Sequence, residues 1–143
     1  MQKRTEKPWM DAPEYGRSLP DFTVNLLVRD IPRSVKFYRD VLGATLHHSD
    51  PDFAALRVGN LEFMIHADHA YDHHEWYPRL KANEPRGLGA ELRLFNIDPD
   101  QLAARAKAHG AKIVQECCDM PHGWRDVVVE DPDGYVWAVG IPK

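Results

Sequence analysis

The chain has 143 residues, 43% of them hydrophobic and 28% charged, with a formal net charge of −4. That size suits one domain, or two small modules sharing a core, and the composition excludes wholesale disorder. No apolar run approaches the roughly 20 residues of a membrane-spanning helix, and the acidic balance argues against a phosphate-backbone binder, so no membrane and no nucleic acid is expected as a partner. Residues 1–20 lack the apolar stretch of a secretory signal and carry Glu6, Asp11 and Glu14 among their basic residues. They read as an N-terminal extension, either a loose tail or a strap that lays Trp9 and Tyr15 on a partner chain. The only cysteines, Cys117 and Cys118, are adjacent. A bridge between neighbours strains the peptide joining them, so they read as free thiols of a reducing compartment, and a cytoplasmic location is expected.

The first module is read over residues 21–66. Phe22, Val24, Leu26 and Val28 alternate with Thr23, Asn25 and Leu27, which is the period of a strand. Asp30 is placed to cap a helix whose first turn tolerates Pro32. Ile31, Val35, Tyr38 and Leu42 then recur as one apolar stripe, and Gly43 ends it. Strands are expected over 44–48, 53–58 and 61–66, the last two joined by a Gly59-Asn60 turn. Residues 67–90 form a linker rich in His, Asp, Pro and Gly; connections of that length usually carry function or helical turns.

The second module, 91–143, repeats the order. A strand over 91–97 leads to a helix opened by Asp98 or Asp100 and closed by Gly110. Strands over 112–116, 127–130 and 135–139 follow, the last two joined by Asp131-Pro132-Asp133-Gly134, which lacks the spaced oxygens of a calcium loop and reads as a tight turn. The tandem βαβββ pattern predicts an α+β fold of two cup-shaped mixed sheets, one domain overall. Its edge strands point to a homodimer.

Those tandem modules, with LLVRDIPRSVKFYRDVLGA in the first and DPDGYVWAVG closing the second, resemble the vicinal oxygen chelate superfamily of glyoxalases, bleomycin-resistance proteins and extradiol dioxygenases. The resemblance spans about residues 21–141, and the second half is more similar to the bleomycin-resistance and uncharacterised glyoxalase-like branch. Metal-dependent members hold one divalent ion on His, Glu or Gln side chains from the first and last strands of each module. The resemblance puts those positions at Thr23, Glu91, Ala138 and, in two registers, Glu62 or Met64. Threonine is a poor donor and alanine offers none, so no cofactor is favoured. A displaced divalent metal at Glu62, His66 and Glu91 is the alternative, because parity places Glu62, Met64 and His66 on one strand face. His69 and His73, four apart, form a further candidate pair on a helical turn.

The reading that follows is a small-molecule binding protein of the bleomycin-resistance type, sequestering its ligand in a metal-free cleft. Asn25, Glu62, His66, Glu91, Arg93, His122 and Trp124 are its candidate ligand contacts: an aromatic plane to stack, with a few polar groups to orient. Arg93 also offers Glu91 a structural ion pair. The alternative is a metal-dependent glyoxalase-like lyase, isomerase or dioxygenase, or a metal-free enzyme with Glu91 or His66 as the catalytic base. Tyr135 and Trp137 have the parity of the core.

Overall fold

A computed structural model describes residues 3–81 and 84–143. Contacts divide them into two compact units: residues 3–35 with 45–81, and Lys36–Ala44 with 84–143. In chain order the elements are α1 (Ala12–Ser18), β1 (Asn25–Val28), α2 (Ile31–Asp40), β2 (Thr45–Ser49), β3 (Phe53–Val58) and β4 (Leu61–Ala67). After them come β5 (Glu91–Phe95), α3 (Pro99–His109), β6 (Lys112–Asp119), β7 (Trp124–Glu130) and β8 (Val136–Pro142). The connection between β4 and β5 holds two short 3-10 turns, Asp68–Tyr71 and Tyr77–Lys81.

Both sheets have the same topology. The first runs β1-β4-β3-β2 and the second β5-β8-β7-β6, each with one parallel pair and two antiparallel ones. This is the α+β arrangement of repeated βαβββ modules. No helix of the described residues is long and apolar enough to cross a membrane.

Alternation decides the core of each sheet. In the first unit Leu26, Val28, Ala54, Leu56, Phe63 and Ile65 are buried on one face. In the second, Leu94, Val127, Val129, Trp137 and Val139 are buried, as are Leu102, Ala103 and Ala106 of α3. Asp98 caps α3 by accepting from the amides of Asp100 and Gln101, and Gly110 ends it at φ 76°. Within the second unit Tyr38 donates its hydroxyl to Asp131 at 2.5 Å and sets its ring edge-on to Trp137. Asp131 also accepts from Trp137 Nε1 and from the backbone amides of Asp133, Gly134 and Tyr135, so the Asp-Pro-Asp-Gly turn anchors the core.

Three expectations are corrected. β1 begins at Asn25, not Phe22, and the Phe22 side chain is 81% exposed. Thr23 Oγ1 donates to the Glu62 carbonyl at 2.5 Å, so a side chain takes an acceptor that a longer ladder would use. β6 and β7 extend to Asp119 and back to Trp124 because Asp119 pairs with Arg125 across register shifts, lengthening the hairpin beyond its apolar run. Residues 12–18 form a helix, with Pro13 in its first turn and Glu14 near its N-terminus.

Candidate functional site

On the first sheet the strand face opposite the core carries Asn25, Phe53, Met64 and His66, brought together by the pairings Asn25 with Met64 and Phe53 with His66. Residues 3–19 lie against this face of their own unit. The Arg4 backbone N–H donates to Asp52 and its guanidinium to Asp50, each at 2.8 Å. Trp9 stacks on His48 with centroids 5.0 Å apart, and Tyr15 meets Phe53 edge-on at 5.5 Å. The extension is therefore not a loose tail: Trp9 and Tyr15 pack on this chain's own first unit.

Between segment and sheet lies a cavity of about 570 Å³, with Trp9, Met10, Tyr15, Phe53, Met64 and His66 in its wall. Lys3, Arg4, Asp52 and His73 line it as well, beside His66. Asn25 Nδ2 donates to the Tyr71 hydroxyl at 2.9 Å, which turns the amide oxygen toward His66 Nδ1 at 2.7 Å. With the amide oxygen facing it, Nδ1 carries the proton and donates, and Nε2 is then a lone-pair acceptor with no protein partner among the described residues. Burial pushes the His66 pKa down to about 4, against the opposing pull of Asp50 and Asp52, so the ring is neutral at physiological pH. Tyr15, 8% exposed, has a hydroxyl without a hydrogen-bond partner among the described residues. Burial, reinforced by the charge of Glu62, pushes its pKa up to about 12, and it stays a donor.

Charges gather around this face in pairs. His48 bonds Asp50 and His69 bonds Asp52, each at 2.8 Å. Against the upward push of burial, hydrogen bonds from His48 and Arg4 hold the Asp50 carboxyl below its usual range. Glu62 is engaged by His47 at 3.3 Å and is not part of the cavity wall. His69 and His73 form no pair: His69 turns to Asp52, and His73 lies 3.5 Å from Asp72.

The corresponding face of the second sheet carries Glu91, Arg93, Phe95, Trp124 and Asp126. Arg93 Nε donates to Glu91 at 2.5 Å and its Nη2 reaches Asp126 at 3.4 Å. His122 Nε2 lies 3.8 Å from the same Asp126 oxygen, and Trp124 meets Phe95 edge-on at 5.3 Å. Asp126 is 2% exposed, and its Oδ1 has no hydrogen-bond partner among the described residues. Gly140 makes room for it, since a Cβ there would stand 1.9 Å from Oδ1. The seven sequence candidates thus fall into two groups, Asn25, Glu62 and His66 in the first unit and Glu91, Arg93, His122 and Trp124 in the second.

A profile of the glyoxalase/bleomycin resistance protein/dioxygenase superfamily matches residues 22–139. The chain belongs to that superfamily. A superfamily protein from Nocardioides is 24% identical, with 91% of each chain covered and a TM-score of 0.67. A superfamily enzyme from Burkholderia phytofirmans PsJN is also 24% identical, over 85% of this chain and 97% of its own, with a TM-score of 0.71. A lactoylglutathione lyase from Agrobacterium tumefaciens is 20% identical, over 85% of this chain and 94% of its own, at 0.62. At such identities the likeness speaks for the fold alone. No match was found among curated proteins.

The superfamily match begins at Phe22, so Trp9 and Tyr15 lie outside it. The positions that resemblance assigns to a metal do not fit one here. Thr23 spends its hydroxyl on the Glu62 carbonyl, Ala138 has no donor, and Glu91 is bound by Arg93. Among the described residues no group of three or more His, Cys, Asp or Glu side chains is placed to hold an ion. Trp9, Tyr15, Phe53 and Asp126 are absent from the sequence candidates. Asp126, a lone acid before the apolar run 127–129, was the one such signal in the sequence. The others depend on how residues 3–19 dock.

Proposed function

We propose that this superfamily member is a small-molecule binding protein that sequesters its ligand in a metal-free cleft, in the manner of the bleomycin-resistance branch. The observation that carries this reading is the cavity of about 570 Å³ on the first sheet, whose size and mixed wall suit a small organic ligand. Aromatic rings and methionine sulfurs supply dispersion and stacking, while the fixed His66–Asn25–Tyr71 network supplies one oriented acceptor. These groups bind better than they react. With a pKa near 4, His66 is a weak base at neutral pH, and Glu91 is occupied by Arg93. The net charge of −4 supports a small ligand over a nucleic acid. Edge strands in both sheets support a homodimer, and two free cysteines support a reducing, cytoplasmic setting.

The competing reading is a lyase, isomerase or dioxygenase with an ion displaced to Glu62, His66 and Glu91. Elemental analysis of tag-free protein from metal-supplemented culture separates the two. Negligible metal together with saturable binding of a small aromatic probe is the expected result. A full equivalent of zinc, nickel, manganese or iron, lost on Glu62→Gln or His66→Phe, would replace the binding reading with the enzymatic one.

A further inference from the structure

We infer that residues 3–19 complete the ligand site, and that the cavity they close takes an uncharged aromatic molecule carrying a hydrogen-bond donor. This rests on the binding reading and narrows it to a class of ligand. The wall comes first. Trp9, Tyr15 and Phe53 are flat, and Met10 and Met64 place polarizable sulfur beside them, a lining that favours a planar aromatic guest. Ten of the sixteen residues that line the cavity come from the segment that precedes the superfamily match.

The polar demand is equally specific. His66 commits its only proton to Asn25, so Nε2 can accept and cannot donate, and a guest must bring the N–H or O–H. Tyr15 is the converse, a buried donor with no protein partner among the described residues, which an acceptor elsewhere on the guest would satisfy. Charge is the third constraint. Lys3 pairs with Asp72 and Arg4 with Asp50, and the Asp52 carboxylate accepts from His69 and from the Arg4 backbone N–H, so each of these charged groups already has a protein partner. Asp11, at the start of α1, is exposed to water. An ionic guest would lose hydration without gaining a buried counter-charge.

The test is isothermal titration calorimetry of the full chain with four naphthalenes: 2-naphthol, its methyl ether, naphthalene-2-sulfonate and 2-naphthylmethylammonium. 2-Naphthol is expected to bind one to one, with the ether weaker by about tenfold for want of a donor, and both ions weaker still. Trp9→Ala, a change in an exposed segment, should weaken 2-naphthol by about tenfold through lost stacking. His66→Phe should bring the ratio between naphthol and ether close to one. Should His66→Phe not fold, the wild-type ratio and Trp9→Ala decide the matter alone. Equal affinity for naphthol and ether, or no effect of Trp9→Ala, would overturn the inference. Tighter binding of either ion would also overturn it, and in all three cases the binding reading would stand. Absence of saturable binding by any probe would overturn both.

Discussion

The two sheets repeat one strand order but carry opposite electrical characters on the faces turned away from their cores. On the first, Asn25, Phe53, Met64 and His66 form an uncharged patch, with the pairs made by Asp50 and Asp52 around it and Glu62, held by His47, farther along β4. On the second, Glu91, Arg93 and Asp126 form an ionic network on the face itself. Their core faces show no such divergence: Leu26, Val28, Phe63 and Ile65 have apolar counterparts in Leu94, Val127, Trp137 and Val139. Close packing allows little besides apolar side chains on the core face, whereas the opposite face is free to carry an uncharged patch in one module and an ion network in the other. The first also has a covering segment from its own unit, residues 3–19.

The largest expected effect breaks the second face. Gly140→Ala drives a Cβ into Asp126 Oδ1 and to 2.5 Å from the Arg125 carbonyl, where the backbone cannot yield cheaply. Urea denaturation should show a loss of about 3 kcal/mol. Wild-type stability there would mean that Asp126 is free to turn away.

Acid should single out the first face. His66 has a folded-state pKa near 4, below the ordinary 6.5, so the unfolded chain binds the proton more readily between those values. Its contribution is present above pH 6.5 and is lost as pH falls toward 4, by roughly 3 kcal/mol in all. His66→Phe should flatten that limb of a stability–pH curve. A limb of unchanged slope would show that His66 is solvated.

A smaller change sharpens the account of the wall. Tyr15→Phe removes a buried hydroxyl that has no partner, so the variant should be as stable as the parent or firmer by about 1 kcal/mol. A clear fall in melting temperature would reveal a partner for that hydroxyl. Smallest of all is Glu91→Gln, which breaks an ion pair whose side chains are 46% and 37% exposed. It should cost about 0.5 kcal/mol and leave 2-naphthol affinity unchanged, because the ligand is placed on the other sheet.

Local patterns in the sequence already specify most of the scaffold. The stripe Ile31, Val35, Tyr38 and Leu42 is buried, and Asp98 and Gly110 cap α3 as their chemistry requires. Strand parity also puts Glu62, Met64 and His66 on one face, but parity does not say where a flexible carboxylate turns, and Glu62 goes to His47. Alternation over 22–28 misleads at Phe22, because one hydroxyl bond from Thr23 replaces the ladder. The wall of the cavity is the least legible part. Trp9 and Tyr15 stand in a stretch without strong periodicity, and they find His48 and Phe53 through contacts some 40 residues away in sequence. Tertiary docking of that kind leaves no local signature.

On the proposed reading, ligand sits on the first sheet beneath residues 3–19. Backbone amide chemical shifts, recorded by NMR while 2-naphthol is titrated into the full chain, test it most directly. The saturable shifts are expected on Trp9, Tyr15, Phe53, Met64 and His66, while Glu91, Trp124 and Asp126 stay still. Shifts concentrated on Glu91, Arg93, Trp124 and Asp126, with residues 3–19 unmoved, would contradict it.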